Sequence, residues 1–148
     1  MNALPPPSFI EQRIVCSVKA AIKYQIPANM LLGVAEIENG RPGRTSINEN
    51  GTVDIGMMQF NSRYMAGLGK FGIHASDVAA LNCYPFNLAA WRIAGHLARD
   101  KGDIWTRAAN YHSRTPRFNA IYRKKLVRLA AKWENWLRAH YEVKVVSR

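Results

Sequence analysis

The stretch Met30-Leu31-Leu32-Gly33-Val34-Ala35-Glu36-Ile37-Glu38-Asn39-Gly40 places two carboxylates at the end of an apolar run. At about 100° per residue on a helix, Met30, Leu31, Val34, Ala35 and Ile37 share one broad face. Glu38 falls near the middle of that face, whereas Glu36 falls opposite it with Asn29 and Gly33. An acid aimed at a core costs free energy unless it is protonated, paired or put to use. Desolvation favours the neutral form, and a neutral carboxylic acid at neutral pH is what a general acid must be. Periodicity alone leaves a second reading open, in which Glu38 frays past the helix end into solvent.

Asp54 is the only acid on the second strand of the hairpin expected just downstream. It is either a solvated, turn-adjacent residue or a second carboxylate facing Glu38, as glycoside chemistry often requires. Other reactive residue types form no pattern. His74, His96, His112 and His140 share no metal-ligand spacing and no H-E-x-x-H, and Ser113 beside His112 cannot form a triad because adjacent side chains diverge. No metal and no cofactor are expected. Cys16 and Cys83 are too far apart for a C-x-x-C motif. They are either two buried thiols or, the preferred reading, one disulfide tying an N-terminal helix to a mid-chain loop. Such a bond implies an oxidising compartment and contributes on the order of 4 kcal/mol in the chain-entropy view.

The elements that must position these groups are mostly helical. Residues 1–7, with three consecutive prolines, read as an extended lead-in, and residues 8–148 as a single domain. Ser8 with Glu11 makes a capping box for a helix to about Tyr24 that carries Ile14, Val15, Val18, Ala21 and Ile22 inward. Pro27 suits the first turn of the Glu38 helix, which Asn39-Gly40 and Pro42 terminate. Asn50-Gly51 between β-branched residues predicts a hairpin within residues 44–56, part of a small two- or three-stranded sheet. Helices are expected over Met57–Leu68, from a Ser76 cap to about Leu81, from Pro85 to about Asp100, over Ile104–Tyr111, and from Phe118 to about Tyr141. The last has a buried stripe of Tyr122, Leu126, Leu129, Trp133 and Leu137, with Arg123, Lys124, Arg128 and Lys132 outside. Trp133 and Trp136 read as core or edge residues. The fold class is therefore α+β, mostly α, with a small antiparallel sheet.

A 148-residue chain that is 48% hydrophobic is long enough to bury a core. No run spans a bilayer, and residues 1–10 show no signal-peptide pattern. The net charge of +11 is concentrated at the end: residues 101–148 hold 12 Lys and Arg against three Asp and Glu. This attracts polyanions such as nucleic acid, anionic lipid or acidic wall polymers. No nucleic-acid motif accompanies the charge, so a nucleic-acid partner is not expected.

Ile37-Glu38-Asn39-Gly40 followed by Asn50-Gly51-Thr52-Val53-Asp54-Ile55-Gly56-Met57-Met58-Gln59-Phe60-Asn61 resembles the soluble lytic transglycosylase domain. Ala109-Asn110-Tyr111-His112 resembles that family's Ala-Tyr-Asn element, and Leu81-Asn82-Cys83-Tyr84-Pro85-Phe86-Asn87-Leu88 its next helix entry. The hairpin and Tyr111-His112-Ser113-Arg114-Thr115-Pro116 are most similar to small members attached to conjugation and specialised secretion systems. The resemblance implies a lysozyme-like, two-lobed fold and a non-hydrolytic cut of the MurNAc-β-1,4-GlcNAc bond in peptidoglycan. It also implies a periplasmic or otherwise exported location and possible partners in a secretion or conjugation apparatus. Glu38 would be acid then base, Asp54 a contributor, and Tyr111 would hydrogen-bond near Glu38 and hold its rotamer. Gly56, Met57, Met58 and Gln59 would shape the cleft floor, Gly56 by letting sugar approach the backbone, with Asn61, Asn110 and His112 also on the substrate side. Asn39 replaces the usual Ser, and His112 the usual Asn. A hydrolytic muramidase and a non-catalytic, basic wall or apparatus adaptor are the competing readings.

Overall fold

The computed structural model describes residues 8–141, so the lead-in expected over residues 1–7 lies outside the described residues, as do residues 142–148. The described chain is mostly helical with one three-stranded antiparallel sheet, the α+β class expected.

Helix α1 (Phe9–Tyr24) starts where Ser8 accepts a hydrogen bond from the Glu11 N–H at 3.2 Å. Its buried face differs from the expected stripe: Arg13, Cys16, Ser17, Ala20 and Ala21 are buried, whereas Val15 and Ile22 are exposed. The small side chains of Cys16, Ser17, Ala20 and Ala21 let α1 pack closely on its neighbours. The bulkier branched residues are left at the margin.

Helix α2 (Ala28–Glu38) follows Pro27, which sits at the cap, and is buried all round from Met30 to Ala35. A helix apolar on every side belongs in the centre of a domain. The side expected to face away from the core is covered by helix α7 (Pro116–His140). A Cβ on Gly33 would come 2.9 Å from Leu126 Cδ1, and Asn29 donates to the Ala130 carbonyl at 3.3 Å. Tyr122, Leu126 and Trp133 of the expected α7 stripe are buried, joined by Ala130, with Leu129 and Leu137 half-buried. Lys124, Arg128 and Lys132 are exposed as expected, but Arg123 is half-buried and donates to Thr106 Oγ1 at 2.6 Å.

Strands β1 (Thr45–Ile47), β2 (Val53–Ile55) and β3 (Phe60–Asn61) pair in that order, with Ser46 opposite Asp54 and Asp54 opposite Asn61. The Asn50-Gly51 turn is present. The Asn50 carbonyl oxygen Oδ1 accepts from the Thr52 N–H at 3.0 Å, and Gly51 takes φ +82°.

The helix expected over Met57–Leu68 is shorter. Residues 57–59 form a turn, β3 follows, and helix α3 is Ser62–Leu68, capped by Asn61. Gly56 and Gln59, at φ +70° and +53°, break any helix there. Helix α4 (Ala75–Ala79) starts ahead of Ser76, the expected cap. His74 holds the cap position, and its N–H donates to Asp77 at 2.7 Å. Helices α5 (Tyr84–Arg99) and α6 (Ile104–Ala109) fall close to expectation.

Cys16 and Cys83 form a disulfide across 67 residues, joining α1 to the start of α5. No described helix is long and apolar enough to cross a membrane. The Cys16→Ser/Cys83→Ser protein should be less stable by about 2–4 kcal/mol, read as a lower urea midpoint with a slope that rises, because the unbridged unfolded chain exposes more surface. An unmoved midpoint would show that the bond does not constrain the unfolded chain.

Candidate active site

Helix α2 ends against the β2–β3 turn. The Gly40 N–H donates to the Met57 carbonyl at 3.1 Å, and a Cβ on Gly40 would collide with the Gly56 carbonyl oxygen. A Cβ on Gly56 would collide in turn with the Val78 carbonyl oxygen of α4. Gly56 therefore serves the chain's own packing, at a φ that favours glycine, and not the approach of a sugar. Met57 and Met58 are likewise not cleft residues. Both are fully buried in the core. Gln59 donates its side-chain amide to the Gly56 carbonyl at 2.9 Å, which holds the turn's left-handed residue in place.

Above this floor lies a cavity of about 280 Å³ lined by Glu38, Asp54, Gln59, His112, Tyr122 and Lys125, with Ile37, Phe118 and Ile121 as apolar wall. Glu38 is the last residue of α2, so it does not fray into solvent. Burial pushes its carboxyl up from 4.5 to about 7. A hydrogen bond from Tyr122 opposes the shift, Asp54 reinforces it, and Arg92 opposes it. Tyr122 donates to Glu38 Oε2 at 3.3 Å, and His112 stacks on the Tyr122 ring at 4.8 Å and 6°. Burial holds Tyr122 well above the ordinary phenol value, so it remains a donor, and holds the His112 imidazole below its ordinary value, so it is neutral at pH 7. A half-protonated acid, an oriented phenol donor and an apolar wall together suit general acid–base chemistry near neutral pH.

Asp54 is half-buried in β2, and Asn61 donates to its Oδ1 at 3.0 Å. Asn61 also bonds Thr52 Oγ1 at 3.0 Å and caps α3, so it orients Asp54. Burial raises the Tyr111 phenol, and Glu38 lies near enough to raise it further, but Tyr111 does not bond the carboxyl. Its hydroxyl is buried and donates to the Met58 carbonyl at 2.7 Å, beneath the cleft. The phenol that reaches Glu38 is Tyr122, which the sequence offered only as part of the α7 stripe. Its one usable signal was a polar tip in a Leu-rich row, since buried tyrosine hydroxyls seek partners. Asn110 does not line the Glu38 cavity. It donates to Asp100 Oδ2 and accepts from Asn119, both at 2.8 Å, as a structural crosslink on another side.

The fold and the site thus define a mostly helical domain with a single desolvated carboxyl at the end of its central helix. No family model matches the chain. It is similar to "Invasion protein IagB" of Salmonella typhimurium, 27% identical over 122 residues, covering 82% of this chain and 74% of that protein. It is also similar to "Protein IpgF" of Shigella flexneri, 28% identical over 104 residues, covering 70% and 68%.

Because the folded Glu38 value lies above the unfolded one, its stabilising contribution is complete below pH 4.5 and is lost as pH rises through about 7. Glu38→Gln should therefore be more stable than the parent at pH 8, by on the order of 3 kcal/mol, and no more stable at pH 4. Equal melting curves at both pH values would mean that Glu38 is solvated. Tyr122→Phe removes a bond that favours the carboxylate, so a carboxyl-carbon NMR titration should place Glu38 higher than in the parent.

Proposed function

We propose that this chain is a peptidoglycan lytic transglycosylase that cuts the MurNAc-β-1,4-GlcNAc bond and forms 1,6-anhydro-MurNAc. The observation that carries the reading is Glu38, a carboxyl poised near neutral pH in a cleft with an apolar wall. Neutral Glu38 gives its proton to the glycosidic oxygen as the bond from the muramyl anomeric carbon breaks. The N-acetyl carbonyl of the same sugar stabilises that carbon. The carboxylate then takes the proton of the muramyl 6-hydroxyl, whose oxygen bonds to the anomeric carbon and closes the ring. One carboxyl serves both steps and ends protonated, ready for another cycle. Tyr122 holds the carboxyl in place, and the 6-hydroxyl of the same sugar, already tethered to the reacting carbon, competes with water as the acceptor.

A second reading keeps the substrate and changes the outcome. Asp54 lines the same cavity, oriented by Asn61, and could assist a water, which makes a hydrolytic muramidase. A non-catalytic adaptor is a third, resting on the net charge of +11 alone. Similarity to a protein named for invasion supports local wall opening for a secretion apparatus, whose subunits would be partners. The Cys16–Cys83 bond suits an oxidising compartment such as the periplasm.

Zymography on purified sacculi should show clearing by the parent and a loss of at least about 100-fold in Glu38→Gln, with circular dichroism unchanged. Clearing that survives Glu38→Gln would refute the assignment. Mass spectrometry of the products should find anhydro ends. Reducing ends in their place would establish hydrolysis. Activity should decline as pH rises through about 7, where Glu38 loses its proton.

A further inference from the structure

A larger cavity of about 760 Å³ shares His112 with the cleft and is lined by Tyr64, Trp91, Arg92, His96, Asn110 and Arg114. Its lining includes three arginines and two histidines but no Asp or Glu. Asp100, the nearest acid in the network, is already saturated. It takes His96 Nδ1 at 2.6 Å, Arg114 at 3.0 Å and Asn110 at 2.8 Å. Burial works to raise its carboxyl, yet these bonds bring it down to about 2. It remains an anion committed to its own partners.

Arg92 is different. Its guanidinium lies over the Tyr64 ring at 4.0 Å and the Tyr111 ring at 4.6 Å. Among the described residues it makes no ion pair and no side-chain hydrogen bond. The two rings attract the cation, and none of its N–H groups is spent on an acceptor among the described residues. A rigid fork matches a carboxylate in two parallel bonds. Holding such a group unpaired and half-buried costs free energy that an arriving anion returns. The cavity thus offers an unpaired guanidinium to a carboxylate.

We infer that this cavity is a subsite for the peptide branch of the glycan strand, with Arg92 binding a carboxylate of that branch. The inference rests on the proposed function and adds the part of the substrate that selects it. A glycan of N-acetylated sugars alone has no anion to offer. The lactyl carboxylate of an unsubstituted muramyl residue lies beside the sugar ring, whereas a peptide branch carries its carboxylates away from the ring and toward a cavity that meets the cleft at His112.

Calorimetry on Glu38→Gln protein, in which chemistry is silenced, separates these sources with three ligands. They are a disaccharide tetrapeptide, the GlcNAc–MurNAc disaccharide with a free lactyl carboxylate, and chitotetraose, which has no charge. The tetrapeptide ligand should bind at least about 10-fold more tightly than chitotetraose, the scale of a charge-assisted bond. Adding Arg92→Gln should abolish that preference, and Arg92→Lys should restore only part of it, because Lys lacks the planar fork. Should Arg92→Gln unfold, the preference in Arg92-intact protein should still shrink as salt rises from about 50 to about 300 mM, with chitotetraose affinity steady. A preference insensitive to both Arg92→Gln and salt overturns the inference, as does equally tight binding of the lactyl disaccharide. Equal affinity for all three ligands would sink the subsite and leave the proposed function standing, whereas failure to bind any of them would remove both.

Discussion

The backbone-to-backbone approach of Gly40 to the Gly56–Gln59 turn fixes where helix α2 stops, and the cleft depends on that stop. A side chain at either glycine would have to occupy a carbonyl oxygen's place. The turn is clamped from three directions: Gly40 donates to the Met57 carbonyl, Val78 of α4 fills the space beside Gly56, and Tyr111 donates to the Met58 carbonyl. Elements from distant parts of the chain therefore converge on a few residues of floor. Only with that floor in place does Glu38 sit beside the sheet at Asp54, and not one turn of helix away from it.

Two pairs of like residues are separated by environment alone. Glu36 and Glu38 lie two positions apart on α2. Burial works to raise Glu36, but bonds from Lys132 at 2.6 Å and Trp133 at 2.8 Å win and hold its carboxyl low. Glu38 receives one long bond from Tyr122, and burial wins. One acid is an anchor for α7 and the other holds its proton up to near neutral pH, a divergence set by environment two residues apart. The tyrosines divide similarly, with Tyr111 under the floor and Tyr122 in the cleft.

Much of this was legible in the chain wherever a local rule and the fold agreed. The phase of Glu38, the Asn50-Gly51 turn, the Ser8 cap and the α7 stripe each follow from spacing that packing then respects. Reading failed where long-range contacts decide. Met57, Met58 and Phe60 have apolar spacing that suits a helix, yet Gly56 is held at positive φ by Val78 and Gln59 by its own amide. No short-range pattern encodes Val78. The exposure of Val15 and Ile22 follows from close packing of small residues on α1, which favours Ala20 and Ala21 over larger apolar side chains. Tyr111 and Tyr122 were both visible, but which phenol meets Glu38 depends on how α7 crosses α2, 84 residues on.

The surplus of positive charge does not undo the proton affinity of Glu38, because charges act on it through different media. Lysines and arginines along the outer face of α7 are exposed and screened by water and salt. Arg92 is the cation that registers at Glu38, and it does so weakly against burial, which is the largest influence. It lies over the Tyr64 and Tyr111 rings and makes no ion pair with the acid among the described residues. The proton affinity of Glu38 is therefore set by what removes water from it and not by the sum of charge on the chain.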